Sequence, residues 1–139
     1  LDWQQDPQVR QHFRDPRPPT LAEHETWFAD RLDDPDCLFN IVLCDEQPAG
    51  VIRLELRKAR DGDSFEVSIL IAPAYQGRGV ARAALAIARD LVPEAVLRAE
   101  VLPDNHASRR LFEVSGYRKN KTWYENEPVL PDTCRRVRA

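Results

Sequence analysis

The chain has 139 residues, a length that suits one domain with one hydrophobic core. Its formal net charge of -3 at pH 7 gives no basic excess, so nucleic acid is not an expected partner. No apolar run approaches the roughly 20 residues of a membrane-spanning helix, and no signal peptide opens the chain, so no membrane partner is expected either. The cysteines are odd in number and fit no CxxC spacing, which predicts free thiols and a cytoplasmic location. These cysteines are Cys37, Cys44 and Cys134. The histidines also lie far apart, so no metal site is expected.

The first third of the sequence predicts two helices. Asp6-Pro7 opens a short helix, because proline suits a first helical turn. After a proline-rich loop, Thr20-Leu21-Ala22-Glu23 matches a capping box at the start of a second helix. Leu1-Asp2-Trp3 reads like the interior of an element, so we expect a single domain over residues 1–139 that lacks its first strand.

The middle of the chain predicts three strands in an antiparallel meander. Residues 37–44 are apolar apart from Asn40, and residues 45–50 contain the turn formers Asp, Pro and Gly. Residues 51–57 alternate with the period of a half-buried strand, and residues 65–71 form a third strand after a polar loop.

The second half predicts two helices that alternate with two strands. In chain order these are a helix from Ala81 to Val92, a strand over 96–102, a helix from a cap at Asp104 or Asn105 to about Ser115, and a strand over 117–124. Strands followed by alternating helix and strand predict an α/β (α+β) domain with a mixed sheet and helices packed on its faces.

The turn between the third strand and the next helix has the composition of an anion site. It reads Gln76-Gly77-Arg78-Gly79-Val80-Ala81 and leads into the helix, whose first N–H groups are unpaired and attract phosphate. The two glycines let an anion approach the backbone, Arg78 adds a cation and Gln76 adds an amide. A lone GxG is more often an ordinary turn, and the spacing fits neither a P-loop nor the dinucleotide motif.

A second motif supports a functional role for this turn. Asn105-His106-Ala107-Ser108 is followed by Leu111-Phe112-Glu113 and then by Gly116-Tyr117. Residues 76–81 match the pattern Gln/Arg-x-x-Gly-x-Gly/Ala at each fixed position. With the two motifs in this order, residues 38–124 resemble the GCN5-related N-acetyltransferase (GNAT) superfamily. The resemblance implies the GNAT fold, with a mixed, mostly antiparallel central sheet and helices on both faces. Its parallel fourth and fifth strands, here 65–71 and 96–102, are expected to splay apart.

The resemblance also implies an acyltransferase that uses acetyl-CoA, without a metal, to acetylate a primary amine. By this resemblance, the backbones of Ile69 and Ile71 contact the pantetheine arm, and Asn105, Ser108 and Arg109 contact its far side. An N–H near Ile71 donates to the thioester carbonyl. The diphosphate is bound by the N–H groups of Gln76, Gly77, Arg78, Gly79, Val80 and Ala81. A simple helix cap is the alternative explanation of Asn105, and the two roles are compatible.

The transfer requires a base, because the attacking amine must be neutral. By the same resemblance Glu66 is the first candidate and Glu100 the second, although either can be an ordinary exposed strand carboxylate. Phe112 occupies the position where many relatives have a tyrosine that protonates the leaving thiolate. Ser108 and Tyr124 are therefore candidates for that step, unless the thiolate leaves unprotonated.

The acceptor is predicted from the first third of the chain. Residues 3–10 and 23–28 resemble acetyltransferases of nucleotide-linked amino-sugar pathways, such as those making pseudaminic acid, and Trp3 suits stacking on a sugar or base. The same opening occurs in acetyltransferases of ribosomal-protein N-termini, so a peptide amine is the alternative. Phe112 also motivates a non-catalytic acetyl-CoA-binding domain. Relatives are often dimers, so the resemblance is compatible with a homodimer, although the sequence does not give the oligomeric state.

Overall fold

The computed structural model describes residues 1–121 and 123–128, so Cys134 lies outside the described residues. The helices are α1 (Asp2–Gln5), α2 (Pro7–Arg10), α3 (Leu21–Asp33), α4 (Val80–Leu91) and α5 (His106–Val114), and a short 3-10 helix covers Pro73–Tyr75. The strands are β1 (Cys37–Cys44), β2 (Gln47–Arg57), β3 (Ser64–Ile71), β4 (Val96–Glu100), β5 (Arg118–Asn120) and β6 (Trp123–Asn126).

Both helix starts predicted in the first third are confirmed by their caps. Asp6 caps α2, since its Oδ1 accepts the N–H of Gln8 at 2.8 Å. Thr20 and Glu23 form the capping box of α3, in which the Thr20 hydroxyl accepts the Glu23 N–H at 3.3 Å and the Glu23 carboxylate accepts the Thr20 N–H at 2.8 Å. The short helix α1 was not predicted.

The described strands form one mixed sheet in the order β1-β2-β3-β4-β6-β5. Neighbouring strands run antiparallel except β3 and β4, which run parallel and are connected through α4. This arrangement confirms the predicted mixed, mostly antiparallel sheet.

The parallel strands β3 and β4 pair over a short stretch only. Within the described part of the chain, Ser64–Glu66 pairs with Val96–Arg98, and no register pair follows on either strand. The remainder of β3 and the end of β4 therefore diverge, which confirms the predicted splay.

Helices cover both faces of the sheet, as predicted. On one face, α4 buries Ala84, Leu85 and Ala88 against a core that includes Leu54 of β2 and Leu97 of β4. On the opposite face, α3 packs its aromatic residues on β1. The rings of Phe28 and Phe39 meet edge to face at 5.2 Å, and Trp27 lies 6.0 Å from the same Phe39 ring.

One predicted turn and one predicted strand were wrong in detail. The first hairpin turn consists of Asp45 and Glu46, which have φ values of 51° and 61°, so residues 47–50 belong to β2. Two positive φ values in succession are typical of the tight turn that joins antiparallel strands. The single strand predicted over 117–124 is a hairpin of β5 and β6, because Lys121 has a φ of 56° and reverses the chain.

Arg89 connects the end of α4 to the strands around it. Its Nη1 donates to the backbone and side-chain oxygens of Asn126, at 3.2 and 2.9 Å, and its Nη2 donates to the carbonyls of Val92 and Ala95. These bonds hold the loop that leads into β4 against β6, and so they fix the start of one of the two diverging strands.

None of the helices in the described part of the chain has the length and apolar composition that crossing a membrane requires. Among residues 1–121 and 123–128, no group of three or more His, Cys, Asp or Glu side chains is arranged to hold a metal ion.

Tyr117 lies in an aromatic cluster under α5. Its ring meets Phe112 at 5.0 Å, and Phe112 in turn lies 6.2 Å from Tyr124. Tyr117 is 4% exposed, and its hydroxyl has no hydrogen-bond partner among the described residues. Burial raises the pKa of Tyr117 to about 12.

We expect Tyr117→Phe to retain the packing and remove an unsatisfied hydroxyl. At pH 8 the free energy of unfolding should stay unchanged or rise by about 1 kcal/mol, because a buried polar group without a partner costs stability. The pKa of Tyr117 is about 12 in the folded protein and near 10 in the unfolded chain. The neutral phenol therefore contributes its full stability below pH 10, and this contribution is lost as the pH rises toward 12. Above pH 10 the wild type should therefore lose up to about 1.4 kcal/mol per pH unit that Tyr117→Phe does not lose.

Urea denaturation at pH 8, 10 and 11 measures both effects, with Tyr75→Phe as the control because Tyr75 is only half-buried. A loss of more than about 1 kcal/mol in Tyr117→Phe at pH 8 would mean that the hydroxyl is satisfied in the folded protein.

Candidate active site

A cavity of about 990 Å³ opens where β3 and β4 diverge. Its walls come from the second half of β3, the end of β4, the start of α4, one side of α5, Gln8 and Val9 of α2, and residues 11–14 after that helix. The volume lies in the range of small-molecule and cofactor sites.

The free edge of β3 faces this gap. Alternate residues of an antiparallel strand direct their backbone groups to opposite sides. The Ala72 N–H donates to the Ala49 carbonyl of β2 at 2.8 Å. The backbone groups of Ile69 and Ile71, which are odd-numbered positions, therefore point away from β2 and toward the cavity that both residues line.

The two glycines of the anion turn have backbones that favour glycine. Gly77 and Gly79 have φ values of 71° and 78°, and both line the cavity. A Cβ placed on either residue would meet no atom of the described chain within 4 Å. The glycines therefore leave open space beside the backbone, as an anion site requires.

The N–H groups at the start of α4 are free to bind an anion. The first helical hydrogen bond runs from the Ala83 N–H to the Gly79 carbonyl at 3.1 Å. Among the described residues, no acceptor is found for the N–H groups of residues 77–82. Together with the partial positive charge of a helix N-terminus, these groups fit the diphosphate predicted for this turn. The Gln76 N–H, which was also predicted to bind the diphosphate, instead donates to the Pro73 carbonyl at 3.3 Å.

The polar side chains of the turn do not all reach the cavity. Gln76 lines it, but its Nε2 donates to the Ile71 carbonyl at 3.0 Å and so braces the turn against β3. The Arg78 guanidinium lies 5.3 Å from the centre of the Tyr75 ring, and Arg78 is not among the residues that line the cavity. Arg82, one turn further along, is a lining residue that the sequence interpretation missed.

The α5 side of the cavity contains the predicted Asn105 and Ser108. The Asn105 Oδ1 accepts the Ser108 N–H at 3.1 Å, so Asn105 is a helix cap that also lines the cavity. Arg109 and Tyr124 lie outside the cavity wall, and the Arg109 Nε donates to the Tyr124 hydroxyl at 3.2 Å. Tyr124 is 1% exposed, so its hydroxyl is enclosed by the core.

Both candidate bases line the cavity and lie on one face of the sheet. Glu66 pairs with Arg98 in the register of β3 and β4, and Glu100 lies two residues beyond Arg98, which returns its side chain to the same face. Glu66 Oε2 accepts a hydrogen bond from Arg57 Nε at 2.9 Å. Glu100 forms a salt bridge with Arg14.

Arg57 is fixed from its other side by Glu55. The Glu55 side chain is 9% exposed, and its Oε2 accepts a bond from Arg57 Nη2 at 2.9 Å. Glu55 also forms ion pairs with Arg31 at 2.8 Å and with Arg53 at 3.4 Å. A buried carboxylate thus holds the arginine that holds Glu66.

Gln8 and Val9 of the predicted acceptor segment 3–10 line the cavity, but the sequence interpretation missed residues 11–14 of the same wall. His12 lines the cavity, and its buried Nδ1 has no hydrogen-bond partner among the described residues. Phe13 lines the same wall, with the Arg10 guanidinium 4.4 Å from the centre of its ring. No local pattern points to these residues, because a coil brings them to the sheet.

Comparisons with known proteins agree with this fold. A family model described as an acetyltransferase (GNAT) domain matches residues 1–118. Among solved structures, the chain is similar to an aminoglycoside acetyltransferase in complex with coenzyme A, at 16% identity and a TM-score of 0.77 over 99% of this chain and 91% of that one. It is also similar to a spermidine N-acetyltransferase from Vibrio cholerae with CoA and spermine, at 18% identity and a TM-score of 0.73 over 89% of this chain and 82% of that one.

An acetyltransferase from Thermus thermophilus has 22% identity and a TM-score of 0.76 over 89% of this chain and 84% of that one. None of the curated proteins matches the chain. The structural likenesses establish the fold, and the family model covers most of the sequence. The chain therefore belongs to the GNAT family of acetyltransferases and is an acyltransferase.

Proposed function

We propose that the protein transfers the acetyl group of acetyl-CoA to the primary amine of a small molecule, and that the cavity between β3 and β4 holds both reactants. One observation carries this proposal: the unpaired N–H groups of residues 77–82 and the carboxylates of Glu66 and Glu100 border the same cavity. The first set suits a diphosphate and the second suits an amine.

Acetyl-CoA supplies the acetyl group as a reactive thioester. We assign its diphosphate to the N–H groups of residues 77–82 with Arg82, because the predicted Arg78 is engaged with Tyr75. The backbone groups of Ile69 and the Ile71 N–H are the proposed partners of the pantetheine arm, since they face the cavity without a strand partner, whereas the Ile71 carbonyl already accepts the Gln76 side chain.

In the reaction a C–N bond forms as the thioester C–S bond breaks, and the amine must lose a proton. Glu66 is the proposed base, since Arg57 fixes its Oε2 and its Oε1 has no hydrogen-bond partner among the described residues. The Ile71 N–H is the proposed donor to the carbonyl oxygen. Ser108 is preferred over Tyr124 for protonating the thiolate, because Ser108 lines the cavity and Tyr124 is enclosed.

A small amine with more than one positive charge fits the acceptor side best. Two carboxylates lie there, and two structurally similar enzymes act on aminoglycosides and on spermidine, which carry several amino groups. A nucleotide-linked amino sugar is the second candidate, supported by residues 3–10. It is less favoured because Trp3 is not among the described lining residues.

We expect Gly79→Ala to weaken coenzyme A binding. The added methyl group projects into the open space beside the free N–H groups, and it strains a backbone with a φ of 78°. Loss of one or two charge-assisted hydrogen bonds predicts a rise in Kd of about tenfold or more, measured by titration calorimetry.

Gly62→Ala is the matched control for backbone strain. Gly62 has a φ of 123°, its Cβ would also meet nothing within 4 Å, and it lies outside the cavity. Its Kd for coenzyme A should stay within about twofold of the wild type, a difference below about 0.5 kcal/mol. Equal affinity of Gly79→Ala and the wild type for coenzyme A would mean that the diphosphate does not bind at this turn.

We expect Glu66→Gln to lower kcat by about 100-fold or more, because the amide cannot accept the proton of the amine. Thiol release from acetyl-CoA measures this with a panel of spermidine, an aminoglycoside, a UDP-linked amino sugar and an N-terminal peptide. The exposed Glu113→Gln on α5 serves as the control.

Wild-type kcat in Glu66→Gln would exclude Glu66 as the base and leave Glu100 as the candidate. Thiol release at the background rate with every amine of the panel, in a protein that binds coenzyme A, would contradict the proposed transfer and support a non-catalytic binding domain.

A further inference from the structure

The two carboxylates on the acceptor side differ in how their arginine partners are held. Arg57, the partner of Glu66, also donates to the buried Glu55 at 2.9 Å, so two acceptors fix its guanidinium. Arg14, the partner of Glu100, has a side chain that is 73% exposed and has no second acceptor among the described residues. The Arg57 side chain is itself 55% exposed, so the difference lies in the second acceptor: the partner of Glu66 is held at two points, whereas the partner of Glu100 is held at one and is more easily exchanged.

Glu100 occupies the place where the cavity meets the covering coil. It is the last residue of β4, and its side chain is 25% exposed. Arg14 reaches it from residues 11–20, which form neither helix nor strand. The guanidinium of Arg14 is thus a cation of the chain itself, placed on a carboxylate of the acceptor wall.

The coil has other anchors, so Arg14 can leave Glu100 without freeing the segment. Arg10 Nη2 donates to the carbonyls of Asp15 and Arg17, the latter at 2.7 Å. Arg17 forms a salt bridge with Glu23 at 3.0 Å. An ion pair with a largely exposed partner is weak, because water and salt screen it and a long side chain loses freedom in forming it.

We propose that Arg14 is an internal competitor at Glu100, and that a positively charged group of the acceptor, other than the reacting amine, displaces it. The inference rests on the proposed function, and it names the class of acceptor as an amine with a second ammonium group. Such an acceptor replaces the Arg14 salt bridge with its own, whereas a monoamine leaves Arg14 in place and gains no contact with Glu100.

Titration calorimetry of spermidine and of butylamine into protein loaded with coenzyme A tests this directly. Arg14→Ala should bind spermidine on the order of two- to fivefold more tightly than the wild type, the range expected when an exposed competing ion pair is removed. Its affinity for butylamine should not change. Arg14→Gln should behave as Arg14→Ala does.

Two further variants separate the subsite from a general change in charge. Arg60→Ala removes the same charge from an exposed loop outside the cavity, and it should leave the affinity for spermidine unchanged. In a Glu100→Gln background, Arg14→Ala should no longer tighten spermidine binding, because the two residues are coupled through one contact. An effect of Arg60→Ala equal to that of Arg14→Ala overturns the proposal.

The binding measurement distinguishes this inference from the proposed function. Tighter spermidine binding by Arg14→Ala without acetylation of any amine supports the subsite and contradicts the transfer. Acetylation of spermidine with the same Kd and KM in Arg14→Ala and the wild type supports the transfer and overturns the competitor role. Absence of spermidine binding in both proteins also overturns it.

Discussion

The pairing of β3 with β4 ends at Glu66 and Arg98, and the site depends on what this divergence leaves unpaired. Beyond that point the backbone groups of Ile69 and the Ile71 N–H face a gap instead of a neighbouring strand, and buried backbone groups require partners. The same divergence makes the cavity, into which the free N–H groups at the start of α4 also open. One interruption of a parallel ladder thus provides both the space and the hydrogen-bonding groups for an extended ligand.

The two carboxylates on the acceptor side differ in how tightly their arginine partners are held. The buried Glu55 holds Arg57, which in turn holds Glu66, so the arginine beside the candidate base is held by two carboxylates. Arg14 and Glu100 form a pair that is largely exposed and attached to a coil. A base benefits from a fixed position, and a subsite that must accept a charged ligand benefits from a partner that leaves easily. The two carboxylates therefore suit different tasks on one sheet face.

Local signals predicted the elements and most of the wall of the cavity. The capping box of Thr20, the glycines of the anion turn and the Asn105 cap are set by neighbouring residues, and each appears as expected. The sequence did not show that Arg82 rather than Arg78 lines the cavity, because the turn's conformation decides which side chain faces inward. Nor did it place Arg14, which reaches Glu100 only through the path of a coil. The amino-sugar subtype and the homodimer stay predictions, since neither follows from the fold.

We infer that the diverging strands and the start of α4 form one coenzyme A site. Hydrogen–deuterium exchange with and without coenzyme A tests this inference, because exchange reports each amide separately. We expect slower exchange at residues 69–71 and 77–82 when coenzyme A is present, with no change in β1. Protection confined to the β5–β6 hairpin, or unchanged exchange at both segments under conditions where coenzyme A binds, would contradict it.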